Sequence, residues 1–189
     1  FYATRFPDKP LRTYNCGVSG DSAAGAVGRF DWDIAPHKPT VATIMLGMND
    51  VNRGLYAPGQ TGEAVEAKRK EALQNHFNAM AQLAEKLKAL GCRIIYITPS
   101  IYDQTGTQQT EKLFGVNDAL GLCADASRKK AAQTGTGILE LHAPMTALNE
   151  RLQKADPNAT LVGPDRVHPG DAGQLVRASY LLTAMGVSG

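Results

Sequence analysis

The chain has 189 residues, 43% hydrophobic and 20% charged, ordinary values for one globular domain with a substantial core. A net charge of +2 is too small to mark nucleic acid or an anionic membrane as partner, and no apolar run approaches the length of a membrane span. Cys16, Cys92 and Cys123 are odd in number and show no CxxC spacing, so the sequence indicates neither a disulfide framework nor a zinc site, and they read as free, mostly buried thiols.

The opening, FYATRFPDKP, has no initiator Met and no signal-peptide pattern, and it reads as the interior of a longer chain. LRTYNCGV (11–18) is expected to be a strand. TVATIMLG (40–47) is a nearly continuous apolar run, as a strand covered on both faces should be. A long helix is predicted over 63–90, with Leu73, Phe77, Met80, Ala84 and Leu87 on one face and Gly91 as its stop. CRIIYIT (92–98) is the next strand. A helix over 113–133 follows, broken by Gly135 and Gly137, then a strand at ILELH (138–142). Pro144 opens a short helix to about Lys154, and a last helix runs from about Asp171 to Met185. No internal repeat or low-complexity linker interrupts this order. Strands alternating with helices predict a parallel sheet with helices on both faces. In such sheets ligands bind beyond the carboxyl ends of the strands, so the residues just after each strand carry the chemical information.

The loop before the last helix, GPDRVHPGDAG (163–173), holds Asp165 and His168 three residues apart. Pro169 disfavours helical geometry at His168. In an extended loop an aspartate can reach Nδ1 of the histidine, leaving Nε2 to take a proton from a hydroxyl. A surface histidine beside a turn-capping aspartate fits the same spacing. A metal site is not indicated, since His37, His76 and His142 share no ligand spacing. In LGMND (46–50), Asn49 lands where a strand has just left the sheet, and its amide can donate to a developing oxyanion. An Asn-Asp turn fits equally well. Gly17 follows the first predicted strand and offers an unobstructed N–H as a second oxyanion donor. Gly20 and Ser22 also suit a tight strand-to-helix turn. No GKS or GKT marks a phosphate loop, and the nucleophile elbow GxSxG is absent. His76 reads as structural, His37 as loop, Trp32 as a packing residue, and KRKEAL (68–73) as a solvated helical face.

Taken in order, N-x-G-x-S-G at 15–20, G-x-N-D at 47–50 and D-x-x-H-P at 165–169 resemble the SGNH (GDSL-type) hydrolases over nearly the whole chain, from about Tyr14 to Met185. The resemblance implies a flavodoxin-like three-layer α/β/α fold, forming one domain over 1–189. It implies oxyanion donors at Gly17 and Asn49, and triad members at Asp165 and His168. The family's catalytic serine lies in a GDSxxxG block at the first strand, ahead of the block with the oxyanion glycine. Here Gly20-Asp21-Ser22 comes after that glycine, so the resemblance makes Ser22 a look-alike and leaves the nucleophile outside this sequence. The expected strand order 2-1-3-4-5 places the missing first strand between LRTYNCGV and TVATIMLG. Each of the two exposed edges then forfeits about 1 kcal/mol per backbone hydrogen bond. The implied activity is that of a serine esterase without cofactor or metal, removing short acyl groups such as acetyl from a carbohydrate or a similar small-molecule ester. Acyl transfer to a sugar hydroxyl uses the same apparatus. The rival reading is a non-catalytic α/β binding domain. Compartment and oligomeric state stay open.

Overall fold

The computed structural model describes residues 7–9, 11–184 and 186; the first six residues, Pro10 and Met185, the predicted end of the last helix, lie outside that description. Three parallel strands, β1 (Val41–Ile44), β2 (Arg93–Ile97) and β3 (Gly137–Leu139), form one sheet in the order β1-β2-β3. Thr43 pairs with Ile95, and Ile95 with Gly137. Among the described residues five α-helices surround the sheet: α1 (Ala23–Gly28), α2 (Glu63–Ala89), α3 (Val116–Thr134), α4 (His142–Ala155) and α5 (Asp171–Ala184).

Strand alternation sorts the apolar residues into two cores. On one face Ile44, Ile94 and Tyr96 pack with Ala23 and Ala26 of α1 and with Met80, Leu83 and Leu87 of α2. On the other, Met45 and Ile97 meet Met145 and Leu148 of α4 and Val176 and Tyr180 of α5. The result is three layers, helices over sheet over helices, as predicted. The long helix matches its local signals. Glu63 and Glu66 lie in its first turn and Lys86 and Lys88 in its last, both favourable to the helix dipole. It ends on left-handed Gly91 (φ 72°), with Gly91 N–H bonded to Lys88 O at 2.8 Å and Cys92 N–H to Leu87 O at 3.1 Å, the paired bonds of a Schellman motif. Its buried stripe runs through His76, Met80, Leu83 and Leu87. Leu73 and Phe77 are only half-buried. With Met80 and, across on α3, Leu122, they line a cavity of about 440 Å³.

Two expectations are corrected. LRTYNCGV forms no strand, and Leu11, Tyr14 and Val18 stand exposed. A strand is stable only when its backbone groups pair with a neighbour. Among the described residues no strand lies on the outer edge of β1, where Val41 is exposed. The segment is held instead by side chains: Asn15 Oδ1 accepts from Gly17 N–H at 3.0 Å, and Tyr14 stacks on His37 with ring centres 4.0 Å apart. Trp32, expected to pack, lies on a π-helical turn (Phe30–Ile34) and is 72% exposed, while its neighbour Phe30 enters the core in its place. Cys92 and Cys123 are buried free thiols, and burial pushes the Cys123 thiol up to about 12.

Ile94, 1% exposed at the centre of the sheet, tests this core. Ile94→Ala should lower the unfolding free energy by about 2–5 kcal/mol in urea titration. A loss below about 1 kcal/mol would show that β2 does not carry the packing described.

Candidate active site

The segment before α5 is a closed loop. Val162 and Pro169 form an isolated antiparallel bridge. Gly163 N–H donates to His168 O at 2.7 Å, and Gly170 N–H to Leu161 O at 3.2 Å. Inside it, Asp165 turns back on the chain. Its Oδ1 accepts the N–H groups of Val167 and His168, each at 3.0 Å, and its Oδ2 contacts His168 Nδ1. Partial burial pushes the Asp165 carboxyl upward, but the bonds from the His168 ring and from the two backbone N–H groups outweigh it and hold the group at about 2. The His168 side chain is 79% exposed, so Nε2 is open to a reacting group. The predicted Asp165–His168 meeting is therefore present.

The loop after β1 is fixed from two sides. Asn49 Nδ2 donates to Asp21 O at 2.9 Å. An amide nitrogen carries two hydrogens, and the Asn49 side chain is exposed. Asp50 points inward, where its Oδ1 accepts from Ala23 N–H at 2.8 Å and lies 3.1 Å from His76 Nδ1. Burial pushes the Asp50 carboxyl up, but His76 and the backbone N–H groups together draw it below the ordinary value. His76 is thus a core partner of this loop. The two loops meet underneath: Val167, between Asp165 and His168 in sequence, packs with Val51, Tyr102 and Leu120, and Met48 packs against the same cluster. The Gly17 N–H is occupied, donating to Asn15 Oδ1.

Gly20-Asp21-Ser22 begins a helix. Ser22 Oγ caps α1 by accepting Gly25 N–H at 3.2 Å. Asp21 accepts Ser22 N–H at 2.8 Å through Oδ1 and pairs with Arg29 Nε at 2.8 Å through Oδ2.

Two buried charged residues escaped the sequence reading. Arg166 is fully buried between the dyad residues, and Asp103, beyond β2, is 1% exposed. A charged residue in a polar loop gives no local sign that it turns inward. Asp103 accepts from Thr160 Oγ1 at 2.6 Å, Gln108 Nε2 at 2.9 Å, Gly106 N–H at 2.8 Å and Gln153 Nε2 at 3.0 Å. Burial pushes its carboxyl up, yet these donors hold it far below the ordinary value. Among the described residues no group of three or more His, Cys, Asp or Glu could hold a metal ion, and no helix is long and apolar enough to cross a membrane.

A parallel sheet between helical layers, with an Asp–His pair and an asparagine amide beyond the strands, defines an α/β/α fold. The chain belongs to the GDSL-like lipase/acylhydrolase family, whose model matches residues 1–176. It is 28% identical over 182 residues to an acetylxylan esterase of Geobacillus stearothermophilus, a match covering 96% of this chain and 75% of that one. It is 30% identical over 109 residues to the esterase TesA of Pseudomonas aeruginosa, covering 58% and 46%. Among solved structures, a gut microbial diltiazem-metabolizing enzyme superimposes with a TM-score of 0.90 at 33% identity, covering all of this chain and 42% of that one. The chain therefore spans less than half the length of that enzyme and of TesA. The structure of Axe2, the Geobacillus acetylxylan esterase, matches with a TM-score of 0.70 at 25% identity, covering 99% and 78%. Its catalytic mutants replace a serine, an aspartate and a histidine, the last two three residues apart.

Asp103 sets an acid limit on stability. Its folded-state value is depressed, so the stabilisation is complete above the unfolded value of about 3.9 and is lost as pH falls below it. The urea midpoint should drop progressively below about pH 4, and Asp103→Asn should flatten that dependence. An unchanged slope in the variant would assign the acid sensitivity elsewhere.

Proposed function

We propose that this chain carries the base, its orienting carboxylate and an oxyanion donor of a serine esterase that removes short acyl groups, acetyl above all, from a carbohydrate or similar ester. One observation carries the reading: Asp165 occupies His168 Nδ1 while Nε2 stays open, on a loop packed beside the Asn49 loop. The match to the acetylxylan esterase supports the substrate class, and the spacing of that enzyme's catalytic aspartate and histidine supports the dyad.

In the reaction a serine Oγ attacks the acyl carbonyl as its proton passes to His168 Nε2. Asp165 stabilises the imidazolium. The carbonyl oxygen, now negative, receives the free amide hydrogen of Asn49. Gly17 becomes a second donor once the Asn15 side chain releases its N–H. Collapse of the tetrahedral intermediate expels the alkoxide, which takes the proton from His168. Water then repeats the sequence on the acyl-serine, with His168 again as base, and returns the serine and a carboxylic acid. Among the described residues no serine is hydrogen-bonded to His168. In this proposal the nucleophile arrives on a strand along the open edge of β1, and Ser22 remains a helix cap.

In the natural protein, His168→Ala should lower turnover of p-nitrophenyl acetate by roughly 1,000-fold or more. Asn49→Ala should lower it roughly 100- to 1,000-fold. Ser22→Ala should leave the rate near wild type and cost about 1 kcal/mol of stability. If hydrolysis survived His168→Ala, or if Ser22→Ala abolished acyl-enzyme formation in a folded protein, this assignment would fail.

A further inference from the structure

Arg166 stands between the two residues of the dyad with 0% of its surface exposed. A buried cation needs strong compensation, and a non-glycine residue in the left-handed region is strained; Arg166 has φ 66°. Both penalties fall on one residue, flanked by the exposed Asp165 and by Val167 in the core, so the surroundings must hold it firmly.

Its guanidinium is bound by one segment, with every nitrogen donating. Nε donates to Thr110 O at 2.8 Å. Nη1 donates to Asp103 O at 2.9 Å, to Gly106 O at 3.2 Å and to Gln108 Oε1 at 3.0 Å, and Nη2 donates to Gln108 O. The backbone joins in, with Asp103 N–H donating to Arg166 O at 3.0 Å. All these partners lie at 103–110, beyond β2. Gln108 bridges two buried charges: its Oε1 accepts from Arg166 while its Nε2 donates to Asp103 Oδ2 at 2.9 Å. The Asp103 carboxylate in turn gathers Gln153 from α4 and Thr160 from the approach to the dyad loop. A carboxylate, a neutral amide and a guanidinium thus form one chain of hydrogen bonds under the loop, the donors of one group meeting the acceptors of the next.

We propose that Arg166 is the positioning residue of the dyad: its inward side chain, locked to the 103–110 segment through Gln108, sets the left-handed turn that makes Asp165 fold back onto His168. This rests on the reading of Asp165 and His168 as orienter and base. With Arg166 drawn inward at a positive φ, the peptide groups of Val167 and His168 turn their N–H bonds toward Asp165 Oδ1, and the two dyad side chains emerge together on the outer surface. Without the clamp the same sequence keeps its Asp and His but loses the turn that joins them.

The test is the titration of the Asp165 carboxyl, followed by side-chain carbon NMR on residues 1–189, a readout that requires no catalysis. In wild type its midpoint should lie at about 2. In Arg166→Met the midpoint should move up by about one unit or more toward the ordinary aspartate value of about 3.9, while the amide spectrum of the sheet is retained. In the natural protein the same variant should lower kcat for p-nitrophenyl acetate at least about tenfold with KM little changed, the pattern of a lost transition-state interaction. If Arg166→Met does not fold, Gln108→Leu, which breaks the bridge and leaves the guanidinium its carbonyl partners, decides by the same two readouts. A folded variant with the wild-type Asp165 midpoint and wild-type kcat would overturn the proposal. Hydrolysis that survives His168→Ala would refute only the role of His168 as base, and the Asp165 midpoint would still report on the clamp.

Discussion

Asp165 and His168, three residues apart, would point to opposite faces of a fully extended strand, so the extended loop expected from Pro169 gives way to a reversal. The chain must reverse between them and stay reversed. Here the reversal is closed by the Val162–Pro169 bridge, turned at left-handed Arg166 and seated by Val167 in the cluster with Val51 and Tyr102. The sheet supplies the platform for that seat. β1 and β2 run parallel, so the segments leaving them emerge at the same end and can pack against the same loop. The exposed dyad is held by a buried foundation, and its geometry is a property of the packing beneath it.

What was legible in the sequence was what short stretches decide. The long helix was placed because its apolar spacing, acidic start and terminal glycine are all local. β1 was placed because a strand covered on both faces reads as an unbroken apolar run, whereas ILELH was overextended: its strand ends at Leu139 and His142 opens α4. The Asp165–His168 contact was expected from spacing and the following proline, and Asn49 was singled out by its place after a strand. The failures share a cause. Whether LRTYNCGV becomes a strand depends on a partner alongside it, and no property of those eight residues reports that partner. Whether an arginine in a polar loop turns inward depends on carbonyls more than fifty residues away in sequence, at 103–110. That Asn15 would take the Gly17 N–H was also hidden, since an asparagine side chain can bond backbone groups in several local turns.

The string Gly20-Asp21-Ser22 shows how little a motif says without its position. Each side chain has a local occupation at the start of α1, Asp21 with Arg29 and Ser22 with Gly25. Helix starts favour serine and aspartate because free N–H groups need acceptors, and catalytic serines favour sharp turns before helices. The two demands select the same residues. Membership of the lipase/acylhydrolase family rests on the match across residues 1–176, which these three letters could not have established.

Trp32 is the chain's single tryptophan, and it stands 72% exposed beside a core that Phe30 fills. Indole emission follows the polarity around the ring, and this ring meets water in the folded state almost as it would in an unfolded chain. Intrinsic tryptophan fluorescence is therefore nearly blind to the folding of this molecule. The optical signal that senses the core belongs to Tyr96 and Tyr102, both buried. Near-ultraviolet dichroism in the tyrosine band, rather than a tryptophan red shift, is where loss of the native packing registers.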